Sequence, residues 1–131
     1  MKYKRLDSLK ENFSNFIVNA ENLNISIFKL NSCCIRGNKA KEEIESKRNI
    51  INQNQKKLDL ESRIIRFEFD DSCEDEKTLE ELMIKIIFEL TWLESNASLT
   101  LNEQRSLQLE KLIREIEVLM KKIILHSKKA A

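Results

Sequence analysis

Leu9 to Cys34 reads LKENFSNFIVNAENLNISIFKLNSCC, and within it Leu9, Phe13, Phe16, Ala20, Leu23, Ile27, Leu30 and Cys34 recur in steps of four and three. That spacing keeps apolar side chains on one flank of an α-helix, whereas a strand would repeat every second residue. The flank runs for nearly four heptads, which makes the segment a long rod with a continuous burial face. The residues between are poor helix formers: Asn12, Asn15, Asn19, Asn22 and Asn24 all favour caps and turns. Packing against other helices, not propensity, must hold such a rod. Ser8 followed by Glu11 predicts a capping box at its start. Gly37-Asn38 predicts the stop, with glycine suited to the left-handed C-cap.

Outside this stretch the composition allows little but helix. The 131 residues contain no proline and one glycine, with 41% apolar, 34% charged and 6% aromatic side chains. Sheet folds need turn residues at strand ends, and this chain lacks them. Extensive disorder is excluded by the regular apolar spacing. A second helix over 39–67 carries Ile44, Ile51, Leu58 and Ile65 seven residues apart, with Lys47, Asn54 and Glu61 at the intervening positions. One neighbour can cover so narrow a seam, and its polar positions suit register or partner choice. A solvated outer helix is the plainer reading of the same charges. Phe67-Glu68-Phe69 alternates, but three residues do not support a strand.

Thr78 with Glu81 predicts the start of a third helix over 78–95. Its main stripe is Leu79, Leu82, Met83, Ile86, Leu90 and Leu93, and Ile84, Phe88 and Trp92 form a second on the opposite side. A helix apolar on two sides is buried on two sides, either within its own bundle or against another chain. Thr100 with Glu103 predicts a fourth helix over 101–127, with Leu109, Leu112, Ile113, Ile116, Leu119, Met120, Ile123 and Ile124 inward. Short connections make successive helices antiparallel. The expected fold is all-α: an elongated up-down four-helix bundle with coiled-coil-like packing, in one domain. Residues 1–7 and 128–131 are expected as flexible basic tails and 68–77 as an acidic connection. A core of this size is thin, which leaves an oligomer open.

Lys and Arg number 23 against 22 Asp and Glu, so no overall charge draws the chain to nucleic acid or membranes. The charges are nevertheless segregated, with eight acids in 67–81 and nine bases among 36–66. Those bases alternate with acids and have no aromatic among them to stack on a nucleobase, so nucleic-acid binding through 36–66 ranks below protein binding. Three cysteines without CxxC spacing point to free thiols and a cytoplasmic, reducing address. No signal peptide and no apolar run of membrane-spanning length is visible.

The catalytic inventory is poor. His126 is the lone histidine, placed as a last-turn cation, and no acid or nucleophile is positioned to serve it. The carboxylates lack Glu-x-x-His pairing and EF-hand order, so no metal is expected, and one glycine cannot build a phosphate loop. No catalytic residue, metal or cofactor is predicted. Cys33 and Cys34 read as small apolar packing residues.

Partner binding is then the expected activity, as an adaptor, assembly subunit or inhibitor that takes a protein partner or a second copy. Aromatic anchors at i, i+4 and i+8 suit helix-in-groove recognition, so Ile84, Phe88 and Trp92 are candidate contacts. The second-helix seam, Ile44, Ile51, Leu58 and Ile65, is the other candidate. Leu79-Glu80-Glu81-Leu82, with Arg114 midway along the last helix, gives 79–123 a pattern similar to the last two helices of a BAG domain. That resemblance implies an Hsp70-binding chaperone cofactor, and a secretion-chaperone-like helical domain is the companion alternative. Thr91 stands where that family has an acid, and Leu109-Glu110 where it has Arg-Lys.

Overall fold

A computed structural model describes residues 2–37, 40–70 and 72–130, with residues 2–5 and 128–130 given as helical backbone only. Four helices follow in order: α1 Lys2–Arg36, α2 Lys41–Phe67, α3 Glu74–Ser95 and α4 Glu103–Ala130. At 1.5 Å per residue α1 is about 52 Å long, and α4 about 42 Å. Among the described residues there is no strand.

α1 is the spine. It packs on α2 and α4 and reaches across the bundle to α3, while α3 also packs on α2 and α4. α2 and α4 do not meet among the described residues, so the helices stand around the core in the order α1, α2, α3, α4. The α1 flank predicted from its spacing lies in that core: Phe13, Phe16, Ala20, Leu23, Ile27 and Leu30 are buried, with Leu9 and Cys34 packed against them. Gly37 ends α1 at φ +65°, its N–H donating to the Cys33 carbonyl at 3.0 Å. The rest of the predicted stop, Asn38, lies outside the described residues.

Helix starts differ from the capping boxes. Ser8 lies inside α1, which begins at Lys2, so the expected tail at residues 2–7 is helix instead. α3 begins at Glu74, four residues before Thr78, and Glu74, Asp75 and Glu76 occupy its first turn. Three carboxylates beside exposed N–H groups stabilise that end of the helix dipole, which is why much of the acidic connection is itself helical. α4 begins after Asn102 rather than at Thr100, and it runs on past residue 127 through 128–130.

The cause of that last shift is a polar knot inside the bundle. Asn31 of α1 is buried, and its amide nitrogen donates to the carbonyls of Ala97 and Thr100, each at 2.7 Å. Its carbonyl oxygen accepts the Asn102 N–H at 2.9 Å. About two turns earlier, Asn24 donates to the Ser106 carbonyl at 3.0 Å and accepts the Ser106 hydroxyl at 2.9 Å. Asparagines that weaken α1 as an isolated helix thus fasten the α3–α4 connection and the start of α4, satisfying buried backbone groups that water cannot reach.

The seam of α2 is core, and this corrects its expected docking role. Ile51, Leu58 and Ile65 are buried and Ile44 is packed against them, covered by α1 on one side and α3 on the other. The intervening polar positions are accommodated within the chain. Glu61 accepts the Asn19 side-chain amide at 2.6 and 2.9 Å, and Lys47 points its Nζ at Cys33 Sγ, 4.0 Å away. Beyond α2, Phe69 turns back and meets Phe13 edge-on, with ring centroids 6.4 Å apart.

Candidate protein-binding faces

α3 puts Leu79, Met83, Ile86, Leu90 and Leu93 in the core. At 100° per residue, Ile84 and Phe88 then point away from it. They are 46% and 65% exposed. Trp92, one turn on, has another fate. It is half-buried against the core, and the Arg105 guanidinium of α4 lies over its ring, 3.5 Å from the centroid. Glu89 holds that guanidinium with two contacts at 3.3 Å, from Nε and from a terminal nitrogen. A cation seated on the ring occupies the surface a partner would use, so Trp92 is an α3–α4 contact rather than the third anchor of an open stripe.

A further exposed apolar row, which the seven-residue seam of α2 does not include, lies on the other side of that helix. Leu60, Ile64 and Phe67 recur at i, i+4 and i+7 and are exposed, Phe67 by 91%. They occupy the side of α2 turned away from its buried row. The spacing was legible, but the stricter seven-residue repeat of the buried row drew the assignment. Lys56 and Lys57 stand exposed beside Leu60, while Arg63 is paired to Asp59 at 2.9 Å. This face therefore joins an apolar row to two cations.

A third apolar surface lies between α1 and α4. Phe13, Ile17, Met120 and Ile124 line a groove of about 510 Å³, with Val18 and Leu125 at its rim.

The other candidate chemistries are placed as follows. His126 is exposed near the end of α4, its Nδ1 3.9 Å from Asp75, and Lys122 approaches the other oxygen of that carboxylate at 3.5 Å. Together these tie the last turns of α4 to the first turn of α3. No group of three or more metal-ligating side chains occurs among the described residues. No described helix is long and apolar enough to cross a membrane. Of the bases in 36–66, Arg48 is turned inward, bonded to Glu94 at 3.2 Å and to the Ser98 hydroxyl, with Cys34 Sγ 3.9 Å away.

Comparison with protein families, with curated proteins and with solved structures finds no match to this chain. The BAG-like pattern of 79–123 rests on its quoted residues alone, and Arg114 among them is exposed and paired to Glu110 at 2.7 Å.

Proposed function

We propose that this chain is a non-enzymatic interaction module, an adaptor, assembly subunit or inhibitor, whose docking element is the outer row of α2. The observation that carries this reading is Phe67, 91% exposed and in line with Leu60 and Ile64. An exposed aromatic side chain gains by leaving water, and i, i+4, i+7 is the spacing at which one helix anchors to another. Lys56 and Lys57 beside the row favour a partner helix with an apolar stripe and acidic flanks. Ile84 and Phe88 offer a smaller second contact on α3. Three free thiols suit a reducing compartment.

The test is affinity capture from lysate, followed by calorimetry on the captured protein. The double variant Leu60→Ala/Phe67→Ala is expected to lose that protein while its thermal midpoint stays near wild type. Capture undiminished in the double variant overturns the reading.

A further inference from the structure

We infer that the α1/α4 face binds a second copy of this chain, antiparallel, about a two-fold axis that crosses both rods within a turn of Val18. This face is separate from the α2 row, and the inference stands without that row's proposed role.

Five exposed apolar residues stand outward on the face, Val18 and Ile25 from α1, Leu107, Val118 and Leu125 from α4. Between Leu107 and Leu125, and around Val118, α4 presents Glu110, Arg114, Glu117 and Lys121, a row that alternates in sign. Within one chain these side chains pair along the helix, Arg114 with Glu110 at 2.7 Å and Lys121 with Glu117 at 3.7 Å. The order of the row matters more than the pairs. Read backwards, it is its own charge complement. Laid antiparallel on a copy of itself, it sets Glu110 against Lys121 of the second copy and Arg114 against Glu117 of the second copy. The same register brings Leu107 opposite Ile124 of the second copy, one residue from that copy's Leu125.

α1 fits that register independently. Counting equally along both rods brings Val18 level with Glu115 from the Asn31–Asn102 contact and with Leu112 from the Asn24–Ser106 contact, within one helical turn of the midpoint between Arg114 and Glu117. The axis that satisfies the α4 charges therefore passes within a turn of Val18, which lies near Val18 of the second copy. It also carries Ile25 and Leu107 of the second copy over the groove floored by Phe13, Ile17, Met120 and Ile124. An isologous contact needs this self-complementarity, with knobs at one end of the face and a hole at the other. The face is also large enough. α4 is about 42 Å long and two helices side by side are about 20 Å wide, giving about 800 Å², the area one partner buries in a stable interface. Apolar contact supplies the affinity, and the charge row selects the antiparallel orientation.

Light scattering coupled to size exclusion tests this with paired charge reversals at exposed positions. Wild type is expected to rise with concentration to twice the 15.5 kDa chain mass. Glu110→Lys/Glu117→Lys makes the row all basic, and Arg114→Glu/Lys121→Glu makes it all acidic. Each is expected to run as a monomer with wild-type helicity by circular dichroism, and an equimolar mixture of the two to recover the dimer mass. A wild type monomeric at every concentration overturns the inference, as do variants that remain dimeric or a mixture that stays monomeric. Phe67→Ala is expected to leave the dimer intact. A dimer lost with Phe67→Ala and kept under charge reversal moves self-association to α2 and overturns the α1/α4 assignment.

Discussion

The inner row of α2, Ile51, Leu58 and Ile65, and its outer row, Leu60, Ile64 and Phe67, use similar residue types at helical spacing. The inner row is sealed between α1 and α3, and the outer row stands in solvent. The difference comes from the number of neighbours. α1 has three packed helices around it and α2 has two, so roughly half of the α2 circumference is left uncovered. Apolar periodicity says that a helix has a burial face; the count of surrounding helices says how many such faces the chain itself can cover. An apolar row beyond that number is surface, and a surface row of this length is where binding is sought.

The sharpest way to break this contrast is to truncate a side chain in each row. Leu58→Ala is expected to lower unfolding free energy by about 2–5 kcal/mol, measured by urea denaturation, since it removes buried contacts and leaves a cavity. A loss below that range would mean that the inner seam is not closed. Asn31→Ala asks whether a polar residue can belong to the inner class. It strands two carbonyls and one N–H of the α3–α4 connection, and about 1–3 kcal/mol of stability should go with it. Exposed Asn22→Ala is its control, expected to leave the urea midpoint near wild type. The smallest stability effect belongs to the outer row: Phe67→Ala should change unfolding free energy by no more than about 0.5 kcal/mol. A large loss there would place Phe67 among the core residues and remove the basis for a docking face on α2.

Much of this architecture was readable in advance. The α1 flank from Leu9 to Cys34 repeats over enough turns that only a helix fits, and Gly37 has the left-handed backbone expected of a lone glycine at a helix end. Helix starts were less legible. Thr78-x-x-Glu81 is a local signal, and it was outweighed by carboxylates at 74–76, which favour a helix beginning among them. Thr100-x-x-Glu103 was overridden from a distance, by Asn31 taking hold of the Thr100 carbonyl and the Asn102 N–H. No local pattern announces a hydrogen bond from a residue seventy positions away. Trp92 failed for the same reason. Its spacing from Ile84 and Phe88 implies a common stripe, but Arg105 reaches over its ring from the adjoining α4 and is held there by Glu89 of α3.

For this protein, the order of residues alone settled helix content, the number of rods and the burial face of each long one. Those follow from near-neighbour geometry: a period near 3.6 and the absence of turn residues. Which apolar row met a neighbour and which met water was decided only when four rods closed around one core. That choice depends on how many helices can surround a given one, and on polar contacts such as Asn31 with the α3–α4 connection that set their relative heights.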